Sequence, residues 1–133
     1  MGSKNRILLA MLTNLILHKL RNVFDSKELH ITKAKLKKIE QKHEQVIFYL
    51  YDNNFQIILD STIGVCSYKH DDSIYNFVSI VSNDIFLYSI STNNHFNYIG
   101  TFFKTDKRKL LKQCDNHIQF LNSKKRKIFE DFI

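Results

Sequence analysis

The stretch IYNFVSIVSNDIFLYSISTNNHFNYIGTFFK, residues 74–104, decides the fold class. It contains three runs rich in β-branched and aromatic residues, at 74–82, 84–92 and 95–104, and a similar run, IGVCSYK, precedes them at 63–69. Such residues are enriched in strands, and the polar separators are short enough for hairpin turns. The stretch therefore predicts an antiparallel β-meander within a sheet of three to five strands.

Helical periodicity marks the residues on both sides of this stretch. Apolar residues recur at helical spacing over residues 5–21, which predicts a helix that packs on the core or, alternatively, binds a partner or a membrane surface. A second helix should follow Thr32, whose hydroxyl can cap it, and the basic tail from Asp106 onward also has helical spacing. The segment VIFYLYDNNFQIILDS, residues 46–61, fits either a hairpin or a strand followed by a short helix over 55–59. The predicted fold class is α+β, with N-terminal helices packed on an antiparallel β-meander and a C-terminal helix.

Length and composition indicate one domain over residues 1–133. The chain is 44% apolar and contains 11 Phe and 6 Tyr, which is enough bulky material for a core. Twenty Lys and Arg stand against 13 Asp and Glu, so the formal net charge is +7. This excess favours a polyanionic partner such as nucleic acid or an acidic protein.

The N-terminal apolar run does not resemble a targeting segment. It lacks a small-residue cleavage site and is shorter than the ~20 apolar residues that span a membrane. Cys66 and Cys114 are far apart and belong to no Cys/His cluster, which argues against structural zinc and favours reduced thiols. We therefore expect a soluble, cytoplasmic protein with no membrane partner and no metal or other cofactor.

One histidine of the second predicted helix is placed unusually. In ITKAKLKKIEQKH, residues 31–43, the residues Leu36, Ile39 and His43 share one helical face. His43 should therefore point inward, or into a cleft near the end of the helix where the helix dipole favours a cation. Four lysines lie mostly off that face: Lys35, Lys37, Lys38 and Lys42. The position suits a proton-transfer group, since imidazole titrates near neutral pH, and it equally suits a structural capping histidine.

The other histidines give weaker signals. His70 and His95 fall at predicted loop ends, where catalytic groups gather. His18, His30 and His117 are expected to be surface or satisfied core groups. The sequence also lacks a phosphate-cradling glycine loop, H-E-x-x-H, G-x-S-x-G and EF-hand spacing, which excludes many familiar enzyme classes.

The last predicted strand supplies a second candidate residue. In YIGTFFKTDKRK, residues 98–109, strand alternation places Ile99, Thr101 and Phe103 on one face. Thr101 is then a hydroxyl among apolar groups, either functional or hydrogen-bonded across the sheet. Four basic residues follow it, and they either bind phosphate or form a solvated tail: Lys104, Lys107, Arg108 and Lys109.

The segments 31–43 and 98–109 together resemble the phage-type nucleases of the BECR fold, which unites barnase, EndoU, tRNA-cleaving colicins and RelE-type toxins. The resemblance covers about residues 28–112 and leaves outside it an N-terminal helix at 1–27 and a basic C-terminal helix at 113–133. The family usually has a proline after its short second helix, and this chain has Ser61 and Thr62 there instead.

The resemblance implies a metal-independent endoribonuclease, toxin-like or phage-associated. Such an enzyme cleaves tRNA or other translation RNA through attack of the 2′-OH, which leaves a 2′,3′-cyclic phosphate, and a cognate inhibitor protein is a possible partner. The resemblance maps the family's helix histidine onto His43 and its last-strand threonine onto Thr101, and we assign the second proton-transfer role to His70. The expected RNA- or phosphate-binding residues are Lys42, Lys69, Lys104, Lys107 and Arg108.

Two other functions fit the same sequence. A non-catalytic nucleic-acid-binding domain needs only a basic surface and aromatic side chains such as Tyr68 and Tyr75 for base stacking. An interaction or inhibitor protein would use the N-terminal apolar helix to bind a partner. Cleavage of RNA distinguishes the ribonuclease from both.

Overall fold

The protein is α+β, as the sequence predicts. The computed structural model describes residues 5–66, 74–93 and 95–132. The seven strands within these residues are β1 Arg6–Met11, β2 Glu28–Thr32, β3 Thr62–Cys66, β4 Ile74–Val81, β5 Asp84–Asn93, β6 Phe96–Thr105 and β7 Ile118–Phe120. The helices are α1 Asn14–Lys19, α2 Lys33–Lys42, the 3₁₀ segment Glu44–Leu50, α3 Phe55–Asp60, α4 Lys107–Gln113 and α5 Ser123–Glu130. The strands form one sheet in the order β1-β2-β6-β5-β4-β3-β7.

The strands β3, β4, β5 and β6 pair antiparallel with their neighbours along the chain, in the region where the sequence predicts a meander. The sheet is larger than predicted, because β1, β2 and β7 extend it at its two sides. It is also mixed, since β2 and β6 pair parallel. The prediction of a purely antiparallel sheet of three to five strands is therefore wrong. The additional strands come from a segment predicted to be helical (β1), a segment predicted to be a turn (β2) and the C-terminal tail (β7).

The N-terminal segment is where the sequence prediction fails most clearly. Residues 5–21 were expected to form one helix, but residues 6–11 form the edge strand β1, and the short helix α1 starts after Thr13. The Thr13 hydroxyl accepts a hydrogen bond from the Ile16 amide and so begins a new helix inside the apolar run. Pairing with β2 determines the conformation of residues 6–11, and apolar spacing alone does not report a pairing partner.

The segment at residues 46–61 agrees in part with the second of its two interpretations, a strand followed by a short helix. The predicted short helix is confirmed as α3, whereas the preceding residues form the 3₁₀ segment rather than a strand. The tail differs as well. The strand β7 separates α4 from α5 and pairs with β3, so residues 113–133 are not one helix.

Cys66 and Cys114 are joined by a disulfide, so the expectation of reduced thiols is wrong. Cys66 ends β3 and Cys114 follows α4, and their Cα atoms are 4.9 Å apart across a sequence separation of 48 residues. Both side chains belong to the apolar cluster between the sheet and the C-terminal helices. The packing of α4 against the sheet and the pairing of Cys66 with Ile118 of β7 bring the two residues together.

Helices pack on both faces of the sheet. On one face, the N-terminal helices contribute Ile16, Ile39 and Ile58 to the larger core. On the other face, α4 and α5 contribute Leu110 and Phe129 to a second core. Within the described part of the chain, no helix is long and apolar enough to cross a membrane.

A network of buried hydroxyls connects α3 to the sheet. Thr62 and Ser79 both donate to the carbonyl oxygen of Ile58, at 3.1 and 2.8 Å. The Tyr88 hydroxyl lies 2.7 Å from Thr62 Oγ1, and either oxygen can be the donor of this hydrogen bond. Burial raises the pKa of Tyr88 above its usual range, so this hydroxyl stays protonated and able to donate.

We expect Tyr88→Phe to lower the free energy of unfolding by about 1 kcal/mol, because it removes one buried hydrogen bond and leaves Thr62 with its other partners. Chemical denaturation with an unchanged m-value measures the effect. Tyr75→Phe is the matched control, because Tyr75 is only partly buried. Equal losses in the two variants would contradict this role of the network.

Candidate functional site

A cavity of about 340 Å³ lies between α2 and β6. The residues that line it are Lys35, Lys38, Ile39, Lys42, His43, Gly100, Thr101, Phe102 and Phe103. It contains three of the sequence-predicted site residues, namely Lys42, His43 and Thr101. Thr101 follows Lys42 and His43 by almost 60 positions along the chain, so the tertiary fold brings it to them.

Local interactions at both ends of α2 place His43 at the cavity. The Thr32 hydroxyl accepts a hydrogen bond from the Lys35 amide at 3.2 Å and starts the helix, as the sequence predicts. The helix ends at Lys42, and the His43 backbone N–H donates to the Ile39 carbonyl at 2.7 Å. The half-buried imidazole lies 5.6 Å from the Phe103 ring, at an interplanar angle of 32°. His43 thus lies in a cleft at the helix end.

The cavity lies where β6 loses its second strand neighbour. Pairing between β2 and β6 covers only Leu29 with Asn97 and His30 with Tyr98. The chain then leaves the sheet at Thr32 and enters α2. Beyond Tyr98, this edge of β6 faces α2 instead of a strand, and the space between them is the cavity.

A β-bulge in β6 sets the position of Thr101. Gly100 and Thr101 both lie opposite Ser89, because the register shifts between Tyr88 and Ile90. The Ser89 hydroxyl oxygen accepts hydrogen bonds from the Thr101 backbone N–H at 2.8 Å and from the Thr101 hydroxyl at 3.0 Å. A Cβ on residue 100 would lie 2.7 Å from that oxygen, so any other residue would displace the Ser89 hydroxyl from this position. Bulges of this kind often occur beside functional sites, where they redirect a side chain.

Because of the bulge, Thr101 does not lie on the sheet face that strand alternation predicts. Ile99 and Phe102 are both buried in the larger core, whereas Phe103 packs against the second core. Ile99, Thr101 and Phe103 therefore do not share one face, because the extra residue breaks the two-residue alternation. Thr101 is exposed at the cavity. Its hydroxyl makes a cross-sheet hydrogen bond to Ser89, which is one of the two roles that the sequence predicts for it.

Three lysines give the cavity its positive charge. Lys35, Lys38 and Lys42 line it, and within the described part of the chain none of them forms an ion pair. Helical spacing predicts that these lysines lie mostly off the His43 face, and Lys42 is the only one of the three among the predicted phosphate-binding residues. Their spacing of three and then four residues was nevertheless a signal, because it defines a stripe directly beside the apolar one.

Three other predicted phosphate-binding residues, all of them in the described part of the chain, lie away from the cavity lining. Lys104 forms an ion pair with Asp84 at 3.0 Å. Lys107 donates to the carbonyl oxygens of Phe129 and Phe132, at 3.2 and 2.9 Å, and so holds the end of α5. Arg108 is exposed on α4. The prediction treated these residues as one phosphate-binding cluster, but the structure uses two of them in other contacts.

Three of the predicted site residues, Tyr68, Lys69 and His70, lie outside the described residues. Tyr75, proposed as a stacking residue, packs edge-on against Phe24 with ring centroids 6.2 Å apart. His95 is exposed and lies 2.6 Å from Asp25.

The donors at the cavity suit an anion rather than a metal ion. Ammonium groups bind phosphate oxygens, an imidazole can exchange a proton, and the Thr101 hydroxyl adds one hydrogen-bonding group. Over residues 5–66, 74–93 and 95–132, no group of three or more His, Cys, Asp or Glu side chains gathers where it could hold a metal ion. The arrangement can therefore bind a phosphate and place an acid–base group beside it.

Comparisons with protein-family models, curated proteins and solved structures found no match to this chain.

We expect Lys38→Gln to weaken binding of a short RNA and to reduce the slope of log K against log salt concentration by about 0.7–0.9, the value for one lost phosphate contact. Lys37→Gln is the matched control, because it removes the same charge from the adjacent helical position outside the cavity lining. Fluorescence anisotropy over a salt series measures both slopes. Equal slopes for the two variants, or wild-type binding that does not depend on salt, would contradict an anion-binding cavity.

Proposed function

We propose that this protein is a metal-independent endoribonuclease that cleaves tRNA or other translation RNA by attack of the 2′-OH on the adjacent phosphate. The observation that carries the proposal is the convergence of His43, Thr101 and three lysines on one cavity. The resemblance of the segments 31–43 and 98–109 to BECR-fold nucleases supports the same reaction, and it suggests a toxin-like or phage-associated role.

The cavity can supply most of what this reaction requires. The 2′-oxygen must lose a proton, the phosphorane that forms carries additional negative charge, and the departing 5′-oxygen must gain a proton. Lys35, Lys38 and Lys42 would bind the phosphate oxygens and stabilise the phosphorane. His43 would take the proton from the 2′-OH or give one to the 5′-oxygen.

His70, proposed from the sequence for the second proton transfer, keeps that assignment as part of the proposal. The lysine ammonium groups at the cavity are donors as well, and the one nearest the leaving oxygen would stabilise its charge. Thr101 would contact the phosphate through its hydroxyl oxygen or, after releasing Ser89, through its proton.

A non-catalytic nucleic-acid-binding domain is the second candidate. It is favoured by the hydrogen bond from the Thr101 hydroxyl to Ser89, which gives Thr101 a structural role that needs no reaction. Such a domain would bind RNA in the same cavity and leave it intact.

We expect His43→Gln to lower the rate of RNA cleavage by about 10²–10⁴-fold, the range for loss of general acid–base catalysis. Glutamine retains hydrogen bonding but cannot exchange a proton near neutral pH. Initial rates on total RNA and on a defined oligonucleotide give the ratio, and thermal melting reports the folded fraction. His117→Gln is the matched control at an exposed histidine. A folded and fully active His43→Gln protein would end the proposal.

We expect cleavage to continue in EDTA, because in the proposed reaction side chains supply the proton transfer and the positive charge. The products should carry 2′,3′-cyclic phosphate ends, because the 2′-oxygen of the RNA is itself the nucleophile. Mass spectrometry of the products identifies the ends. Activity abolished by EDTA and restored by magnesium would show a different mechanism.

A further inference from the structure

A cluster of aromatic and cationic side chains covers the part of the sheet next to the cavity. It consists of Arg6 on β1, His30 on β2, and Phe96 and Tyr98 on β6, and we call it the aromatic platform. The His30 ring lies 5.8 Å from Phe96 and 6.3 Å from Tyr98, and the Phe96 and Tyr98 centroids are 6.4 Å apart.

Strand pairing places the platform on the sheet face opposite the larger core. His30 is paired with Tyr98, and directly paired residues project to the same face. The alternate residues Leu29 and Ile99 project to the other face, where both are buried in the larger core. No platform residue belongs to either of the two hydrophobic cores. The platform is therefore separate from both cores: His30 is buried within it, and Arg6, Phe96 and Tyr98 are partly exposed.

Arg6 is the outermost cation of this surface. Its guanidinium carbon lies 3.8 Å from the centroid of the Phe96 ring, so it covers that ring. Within the described residues Arg6 forms no ion pair. The nearby carboxylate of Glu28 lies 3.1 Å from His30 Nε2, which gives it a partner of its own. Arg6 therefore has hydrogen-bond donors and one planar face available to a ligand.

The platform and the cavity are neighbours on one strand. Tyr98 precedes Thr101 by three residues on β6, and because the bulge adds an extra residue between them, they are separated by less than about 10 Å along the strand. A polymer with a phosphate in the cavity would therefore pass over Tyr98 and Arg6 with an adjacent unit. The cations at both places are complementary to a chain of phosphates, and the planar groups of the platform are complementary to bases.

We infer that the aromatic platform binds bases of single-stranded RNA whose phosphate backbone passes through the cavity, which makes single-stranded RNA the substrate class. This inference rests on the proposed function. Aromatic rings and the arginine guanidinium stack on any base with an exposed face. Bases in a duplex already stack on each other, so a paired substrate would gain nothing from the platform.

The test measures affinity for a 2′-O-methyl RNA of about 12 nucleotides, a length in the usual range for single-strand sites. The 2′-O-methyl group blocks cleavage, so the intact protein can be used. We expect Arg6→Lys, which keeps the charge but loses the planar group, and Tyr98→Leu each to weaken single-strand binding by about 5–150-fold, the effect of losing one stacked base. Tyr98→Phe should restore the affinity, because it keeps the ring.

Matched controls are available elsewhere on the molecule. Arg126 also lies over a phenylalanine, Phe120 of β7, at the opposite end of the sheet, at 5.0 Å. Phe48 is an exposed aromatic residue outside the platform. Arg126→Lys and Phe48→Leu should change the affinity by less than about twofold, since neither removes a platform group. Thermal melting of every variant shows whether it is folded.

The outcomes separate this inference from the proposed function. Unchanged affinity in Arg6→Lys and Tyr98→Leu, equal binding of the duplex formed with the complementary strand, or no RNA binding by the wild type would each overturn the platform. Binding with the expected pattern but no cleavage of unmodified RNA would support the platform and refute the ribonuclease. Cleavage with no dependence on Arg6 or Tyr98 would do the reverse.

Discussion

The buried side-chain amide of Asn97 fixes the position of β2, and the site depends on that position. Asn97 donates to the carbonyl oxygens of Ser26 and Glu28, at 2.8 and 3.0 Å, and its side chain is almost fully buried. These bonds hold the start of β2 beside the start of β6. A polar group buried at this depth costs free energy unless it is paired, so the amide specifies one arrangement of the two strands. The parallel pairing then extends over two residue pairs and stops.

The early end of that pairing creates the cavity. Because Thr32 caps α2 directly after β2, the chain turns away from the sheet and leaves one edge of β6 facing a helix. The bulge at Gly100 and Thr101 lies on this stretch of β6. The cavity at this edge is therefore lined by the Thr101 hydroxyl from β6 and by the His43 imidazole and a stripe of lysines from α2. Three neighbouring ammonium groups repel one another, and an anion between them would relieve that repulsion.

Thr101 shows how structural and functional demands meet at one residue. Its hydroxyl proton and its backbone N–H both go to the Ser89 oxygen, so the bulge is stabilised without a ligand. The hydroxyl oxygen retains lone pairs, and the exposed side chain can exchange partners at little cost because water competes for the same bond. A residue in this position would be selected for its contribution to the bulge even if it took no part in a reaction.

The sequence by itself determined the features that depend on local interactions. The α+β class followed from the change of periodicity, the start of α2 followed from the Thr32 cap, and the location of His43 near the helix end followed from its spacing from Ile39. Tertiary structure decided the features that depend on partners distant in the chain. Residues 6–11 form a strand because β2 offers a pairing edge. Cys66 meets Cys114 because α4 packs on the sheet and β7 pairs with β3. Thr101 changes face because Ser89 on another strand stabilises a bulge. Hydrophobic periodicity records which side of an element is buried, but it contains no information about which backbone or hydroxyl lies opposite.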